Sequence, residues 1–194
     1  MSKRNGRNGY SLIEILIVIA IIGLILGITI PNFTTMRRRM ALRAAAAELR
    51  SVFYLVRMRA IARGVNTGVK FVMEDGVWQF ATYEDGDRDG VRNDDIKKGT
   101  DPMVAKPRVV FSQSQIVTIG LPGYSFKDPD GDTVKSPVTF NQTSLCSFSP
   151  IGEATPGSIY ITDNDGEVWC VRVYGATAKI RALRYDRTKK RWVS

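Results

Sequence analysis

The stretch from Leu12 to Ile30 reads LIEILIVIAIIGLILGITI and contains 19 residues with one charge, on Glu14. As a helix this stretch would be about 28 Å long, close to the ~30 Å hydrocarbon core of a bilayer. Three basic residues precede the apolar run and no acid does, namely Lys3, Arg4 and Arg7. The sequence therefore predicts a membrane-spanning helix with a cytoplasmic N-terminus and an exported C-terminal body.

Two simple interpretations of this run explain it poorly. A cleaved secretory signal has an apolar run of about 7–15 residues and a small-x-small cleavage site, whereas this run is longer and ends in Thr29-Ile30-Pro31-Asn32. A plain signal anchor leaves Glu14 unexplained, because an intramembrane carboxylate costs roughly 2.5–3.5 kcal/mol. A third interpretation follows from the residues that lead into the run.

The motif Gly9-Tyr10-Ser11-Leu12-Ile13-Glu14 resembles the class III signal of type IV prepilins and type II secretion pseudopilins. The resemblance implies that a prepilin peptidase cuts after Gly9 and methylates the new amine of Tyr10, a position where the family more often has Phe. It also implies that Glu14, the fifth mature residue, pairs during assembly with the N-terminal amine of a neighbouring subunit. Pro31, also present in the family, predicts a helix kink.

Composition excludes several classes of site. The 194 residues carry a net charge of +9 with no histidine and two cysteines. A Ser-His-Asp triad, a His-ligated zinc site and a Cys₄ metal site are therefore excluded. The sequence also lacks a Walker A loop and a G-x-S-x-G motif. We therefore interpret the chain as a non-enzyme.

The periodicity of apolar residues divides the chain. After Pro31 they recur every three to four residues to Ala60, and from Gly64 onward they alternate. This predicts an α+β fold, in which one long N-terminal helix packs on a mainly antiparallel β head. The expected segments are a leader at 1–9, a transmembrane and assembly half-helix at 10–31, an amphipathic half-helix at 32–63, and a globular head at 64–194.

The head predicts nine strands because turn residues separate its alternating segments. They are Thr67–Met73, Val77–Tyr83, Arg108–Phe111, Gln115–Ile119, Pro137–Phe140, Leu145–Ser149, Ser158–Thr162, Val168–Tyr174 and Ala178–Tyr185. The segments at 148–152, 157–162, 171–173 and 179–181 resemble the GspH/FimT branch of minor pseudopilins and minor pilins. That branch has a pilin-like fold with two sheets in the head.

The resemblance also implies partners and a location. The expected partners are other pilin or pseudopilin subunits, the prepilin peptidase and an inner-membrane assembly platform. The expected location is a single pass through a bacterial inner membrane with a periplasmic head, followed by a pilus or pseudopilus. The sequence does not separate secretion from pilus biogenesis or DNA uptake.

Arginines dominate the polar faces of the second half-helix. Glu48 is the single acidic residue of this half-helix in the sequence. The basic residues are Arg37, Arg38, Arg39, Arg43, Arg50, Arg57, Arg59 and Arg63. These charges fit a solvated face close to an anionic membrane surface. Pairing with acidic patches on neighbouring subunits is the alternative.

The two cysteines, Cys146 and Cys170, lie on predicted strands of an exported body. An oxidising compartment permits a disulfide between them, worth roughly 3–3.5 kcal/mol by loop-closure entropy. We expect this bridge, and two buried free thiols are the alternative.

The loop from Asp85 to Ile96 resembles a calcium loop. Its candidate oxygen ligands are Asp85, Asp87, Asp89, Asn93, Asp94 and Asp95. The D-x-D-x-D-G spacing fits a calcium loop, but the twelfth position is Ile96 instead of a bidentate Glu. The loop is therefore a candidate calcium site or an acidic solvated loop, and no other cofactor is expected.

The C-terminus is basic, and Lys179, Arg181 and Arg184 are its candidate DNA-binding residues. Related minor pilins carry a Gly-Arg-x-Arg motif where this chain has Ala178-Lys179-Ile180-Arg181. Strand alternation places Lys179 and Arg181 on one face and Arg184 on the other. The sequence thus leaves DNA binding as an alternative to a solvated tail or an acidic protein partner.

Overall fold

The computed structural model describes residues 10–111, 116–141, 143–163 and 165–193, without the side chains of 28–32. The expected leader at 1–9, including Gly9, lies outside the described residues. The chain divides into two compact units, Met1–Arg39 and Met40–Ser194. All the strands belong to the second unit.

Helix α1 spans Leu12–Arg63, so Pro31 does not end it. Gly64 follows with a left-handed φ of +66°, which is the backbone conformation that terminates many helices. From Met40 onward the expected apolar stripe of α1 is buried, through Leu42, Leu49 and Val56 among others. The 3–4 spacing therefore identified the face that packs on the head.

The head contains two antiparallel sheets. Sheet A consists of β1 (Thr67–Glu74), β2 (Val77–Glu84), β3 (Met103–Val109) and β6 (Leu145–Phe148), in the order β3-β2-β1-β6. A short helix, α2 (Asn93–Lys98), lies in the connection between β2 and β3. The α+β class with a helix on two sheets is confirmed.

Sheet B holds the remaining strands in the order β10-β9-β8-β7-β4, and β5 also pairs with β7. Its strands are β4 (Val117–Ile119), β5 (Val138–Phe140), β7 (Gly157–Asp163), β8 (Val168–Tyr174), β9 (Lys179–Asp186) and β10 (Arg191–Val193). In β8 the inward side chains Val171 and Val173 enter the main core, whereas Val168 and Cys170 enter a second cluster on the outer face.

The main core lies between α1 and the two sheets, and Phe53 of α1 is at its centre. Its ring centroid lies 5.9 Å from that of Phe71, 5.8 Å from that of Phe140 and 6.2 Å from that of Phe148. Since Phe71 and Phe148 belong to sheet A and Phe140 to sheet B, one helical side chain joins both sheets. The second cluster contains Phe126, Tyr160, Val168 and Cys170 with Tyr185 and Trp192 beside it.

Three elements differ from the prediction. The strand expected at Arg108–Phe111 lies earlier, as β3, and Val110 and Phe111 are buried turn residues with Phe111 at φ +56°. Their apolar character reflects burial instead of strand formation. Helix α2 and strand β10 were not predicted, because six and three residues carry too little periodicity.

Candidate functional site

The start of α1 presents the residues of the predicted maturation signal. Tyr10 is 80% exposed and precedes the first helical residue, Leu12. Glu14 is exposed in the first helical turn, and its backbone N–H donates to the Ser11 carbonyl at 3.0 Å. A carboxylate in the first turn is stabilised by the positive end of the helix dipole.

The side chains described from Leu12 to Gly27 are all exposed, including the large apolar ones. Within the described part of the chain, no helix carries an apolar stretch long enough to cross a membrane.

The acidic loop after β2 brings three of the predicted calcium ligands together. Carboxylate oxygens of Asp85, Asp87 and Asp89 all lie within 4.8 Å of one another. Asp85 is buried, whereas Asp87 and Asp89 are exposed. Asp89 also pairs with the Arg92 guanidinium at 2.5 Å. The three aspartates of the D-x-D-x-D-G pattern therefore form a compact set of oxygens.

The other predicted calcium ligands lie on α2. Asp94 pairs with Lys97 at 3.8 Å, and Asp95 pairs with Lys98 at 3.1 Å. Asn93 is the first residue of the helix. Among the described residues, neither Asp94 nor Asp95 belongs to the carboxylate group of Asp85. Asp94 and Asp95 therefore form ion pairs with lysines of α2 instead of joining the three carboxylates of the loop.

Backbone N–H groups hold the loop in shape. Asp85 accepts hydrogen bonds from the backbone N–H of Arg88 at 2.6 Å and of Gly90 at 2.9 Å. Asp101, which is 1% exposed, accepts from the N–H of Gly86 at 3.1 Å and of Arg92 at 2.9 Å. Asp101 lies beyond the recognisable loop pattern, so the sequence alone does not identify it as part of the loop.

These contacts shift the loop carboxyls in opposite directions. Burial raises the pKa of Asp85, but hydrogen bonds from Asn66 and from the loop backbone outweigh burial, so the pKa lies below its usual value. Desolvation and the neighbouring Asp87 raise the pKa of Asp89. In this loop, backbone N–H groups therefore stabilise the Asp85 carboxylate, whereas the Asp87 and Asp89 carboxylates repel each other.

The predicted disulfide between Cys146 and Cys170 is not formed, which corrects that expectation. Both cysteines are free and buried. Cys146 on β6 belongs to the main core, whereas Cys170 on β8 belongs to the cluster on the opposite face of sheet B. Because sheet B separates the two side chains, a bridge would require rebuilding the strand.

The basic residues of β9 divide between its two faces. Strand pairing sets Lys179 opposite Tyr174 and Arg181 opposite Arg172 on the outer face of sheet B. Lys179 and Arg181 are exposed and line a groove of about 480 Å³ together with Tyr174. Arg184 lies on the other face and its guanidinium is 3.6 Å from the Glu167 carboxylate. The structure therefore brings together two of the three candidate DNA-binding residues.

Arg172, beside this groove, is already neutralised. Its side chain is 11% exposed and pairs with Asp130, with Asp128 at 3.7 Å, and with the Ser158 hydroxyl at 3.3 Å. Asp128 and Asp130 of the loop at 128–132 thus form ion pairs with Arg172 of sheet B. The cations that the outer face leaves to solvent here are Lys179 and Arg181.

Two family models match the chain. Residues 4–30 match the prokaryotic N-terminal methylation motif, and residues 45–177 match the type II transport protein GspH. The second match covers more than half of the chain and spans most of the unit that starts at Met40. No curated protein and no solved structure shows significant similarity to the chain.

Proposed function

We propose that this chain, which belongs to the type II transport protein GspH family, is a minor pseudopilin that is matured after Gly9 and assembled through α1. The filament is that of a type II secretion system or a related type IV pilus. One observation carries the proposal: the methylation motif and the GspH match occur in order in a single chain. The family is structural, so the proposed role is non-enzymatic.

Maturation begins at the leader. Prepilin peptidase hydrolyses the peptide bond after Gly9 and then methylates the freed amine of Tyr10. Exposure of Tyr10 ahead of α1 supports access to this bond, because a peptidase acts on backbone outside a helix. Before assembly the apolar half of α1 anchors the chain in the inner membrane, with the N-terminus cytoplasmic and the head periplasmic.

Assembly then depends on Glu14. The Glu14 carboxylate is exposed among apolar side chains of the first helical turns. In an apolar surrounding an isolated carboxylate is costly, and a neighbouring subunit's N-terminal amine would neutralise it. This pairing would set the axial register of subunits delivered by the inner-membrane assembly platform.

The Glu14→Ala variant of the complete chain tests this proposal. We expect its incorporation into sheared filaments to fall by about tenfold or more, which corresponds to ~1.4 kcal/mol or more of lost pairing energy. Thermal unfolding of the head should not change, because Glu14 is exposed and belongs to the other unit. The matched control is Glu74→Ala, which removes an exposed acid from the end of β1.

Normal incorporation of the Glu14→Ala variant would contradict the assembly role. The Gly9→Ala variant separates maturation from assembly, because it should keep the leader mass in the purified protein. Loss of the leader from that variant would contradict the proposed cleavage site.

DNA binding in uptake is the second candidate function. The observation that favours it is the pair of exposed cations, Lys179 and Arg181, around a groove that also contains Tyr174. Such a surface offers charge for phosphates and a ring for stacking. Arg184 supports it less, since Glu167 lies 3.6 Å from its guanidinium.

A further inference from the structure

Arg172 is a cation that β8 places directly opposite another cation. Strand pairing sets it opposite Arg181 of β9, and Tyr174 and Lys179 form the next pair on the same outer face. The Arg172 guanidinium lies 5.6 Å from the centroid of the Tyr174 ring. We call these four residues the cation square. Because like charges directly opposite each other destabilise a sheet, the two arginines require a compensating anion.

The compensating charge comes from the chain itself. Asp130 forms an ion pair with the Arg172 guanidinium, and the Asp128 carboxylate lies 3.7 Å from it. We call residues 128–132 the aspartate latch. In contact with these acids the Arg172 side chain is 11% exposed, whereas the other two cations of the square are exposed. The aspartate latch therefore masks one of three neighbouring cations.

The aspartate latch satisfies Arg172 incompletely. One guanidinium nitrogen donates to the Ser158 hydroxyl at 3.3 Å, but the buried Nε of Arg172 has no hydrogen-bond partner among the described residues. A buried N–H without a partner costs free energy. The planar guanidinium fork binds best to an anion that accepts two parallel hydrogen bonds, as a phosphate does. The two carboxylates are therefore an imperfect substitute for such an anion.

The aspartate latch keeps its shape without help from Arg172. The Asp128 carboxylate accepts hydrogen bonds from two backbone N–H groups of the latch, both at 2.9 Å. At the base of the latch, the Trp192 indole N–H donates to the Lys127 carbonyl at 2.9 Å. The side chain of Asp130, which pairs with Arg172, is 58% exposed. The latch can therefore separate from Arg172 while its turn and its base are retained.

The surroundings of the cation square favour a nucleic acid over an acidic protein as the external anion. From 152 to 193, the described residues include no exposed large apolar side chain. Protein interfaces normally have an apolar core, whereas nucleic-acid interfaces are polar and positively charged. The square combines its cations with the Tyr174 ring and a groove of about 480 Å³. This chemistry fits a phosphate backbone.

We propose that Arg172, Lys179 and Arg181 form one binding site for nucleic-acid phosphates, and that the aspartate latch occupies this site as an internal competitor. An arriving phosphate backbone displaces Asp128 and Asp130 and recruits Arg172 as the third cation. Because the latch is tethered, a ligand must supply several phosphates to compete with it effectively. The inference rests on the second candidate function and adds to it a masked binding residue and its competitor.

Replacing the two acids by amides tests the aspartate latch in the complete chain. Asp128→Asn with Asp130→Asn removes both charges and keeps the side-chain oxygen that closes the turn. We expect this latch variant to bind double-stranded DNA about tenfold more tightly, as one added charge-assisted contact would give. The slope of log affinity against log salt should steepen by about 0.9, the share of one phosphate contact.

Two further variants guard against trivial explanations. Glu74→Gln with Asp75→Asn removes the same charge at the turn between β1 and β2 and should give no comparable gain. Asp130→Asn alone changes an exposed side chain outside the core and should keep most of the gain. Thermal unfolding of each variant verifies that the head is folded.

Arg172→Ala identifies the cation that the latch releases. In the unchanged chain this variant should alter DNA affinity by less than about twofold, whereas in the latch variant it should abolish the gain. A purely structural role of Arg172 would instead weaken DNA binding equally in both backgrounds. This difference separates a masked binding residue from a residue that only supports the sheet.

The inference is overturned if the latch variant shows no gain, if the control at Glu74 and Asp75 gains equally, or if the gain survives Arg172→Ala. Polyglutamate that binds the latch variant as tightly as DNA would identify an acidic-protein site and would also overturn it. DNA binding that depends on Lys179 and Arg181 without a gain from the latch variant would keep the second candidate function and reject the latch. Absence of DNA binding by both chains would reject both.

Discussion

At the scale of single residues, the alternation of β8 decides the chemistry of the cysteines. Val171 points into the main core and its neighbour Cys170 into the outer cluster, while Cys146 on β6 faces the main core. Burial raises the pKa of Cys170 to about 12 and the pKa of Cys146 well above its usual value. Thiolate is the reactive form, so both groups are poor nucleophiles in the folded protein.

Thiol labelling measures this directly. At pH 8 we expect neither Cys146 nor Cys170 of the folded protein to react with an aromatic disulfide reagent while free cysteine is consumed, and both to react in denaturant. An Ile151→Cys variant provides a matched exposed thiol and should react at once. A denatured, unreduced protein without reactive thiols would show that the two cysteines are bridged.

Side-chain alternation along β9 predicts the face of the sheet on which each basic residue lies. A period of two separates Lys179 and Arg181 from Arg184, and strand pairing agrees with that separation. The ion pair of Arg184 with Glu167 could not be predicted, because it depends on where the turn before β8 places the acid. DNA binding by these residues stays a prediction.

At the scale of elements, the acidic loop between β2 and β3 has two parts. The sequence pattern predicts the first part, and the second part is helix α2, which the pattern does not predict. Asp85, Asp87 and Asp89 converge as the spacing suggested, whereas α2 removes Asp94 and Asp95 from the group. The loop is closed by Asp101 through backbone N–H groups. Calcium binding stays a prediction, now limited to three carboxylates.

Calcium titration by calorimetry tests this loop. We expect a single site of millimolar affinity in the complete protein, because a cation relieves the repulsion that raises the pKa of Asp89. The double variant Asp87→Asn, Asp89→Asn should lose the heat, and Asp94→Asn on α2 should keep it. At a hundredfold excess over Kd, calcium would add ~2.7 kcal/mol to the free energy of unfolding.

The absence of heat at millimolar calcium would leave an acidic solvated loop. Asp85 itself is not a suitable variant, because its carboxylate holds the backbone of the loop at Arg88 and Gly90.

Most strands were predictable, including the short strands β4, β5 and β6, whereas α2 and β10 were not. Strands β1, β2, β7, β8 and β9 lie within one or two residues of their predicted bounds. Strand β3 was predicted several residues too late, because the apolar pair Val110-Phe111 reads as strand but is a buried turn. Burial and strand geometry produce the same sequence signal over so few residues.

At the scale of the whole molecule, the net charge of +9 is divided among separate places. Arginines follow the helix from 37 to 63, several of them bound to the head, and a second group follows β9 and the C-terminal turn. The excess of positive charge therefore does not form one continuous surface for binding nucleic acid. The outer face of sheet B combines two exposed cations, Lys179 and Arg181, with a groove.

Double-stranded DNA binding tests that face. If the protein binds DNA, Lys179→Ala with Arg181→Ala should weaken binding and reduce the slope of log affinity against log salt by about 2, since each phosphate contact contributes roughly 0.9. Lys106→Ala with Arg108→Ala removes the same charge from β3 and is the matched control. Arg184→Ala should have little effect, because it lies on the other face.

Salt-independent binding, or an equal loss with the β3 control, would remove DNA uptake as the second candidate function. The minor pseudopilin proposal would be unaffected, because it depends on Glu14 and the leader.

The sequence by itself determined the class of the protein. Its apolar run, the motif from Gly9 to Glu14 and the change of period at Gly64 are local signals, readable without knowing any long-range contact. The α+β fold and the family match followed from them. Local patterns suffice here because helix and strand periodicity depends on neighbours in the chain.

Only the tertiary structure decided which groups meet. It placed Cys146 and Cys170 on opposite sides of sheet B, closed the acidic loop with Asp101, and paired Arg184 with Glu167. Each of these depends on how distant segments pack. Sequence periodicity identifies a face of a helix or strand, but only packing determines whether that face meets the core, another element or a partner.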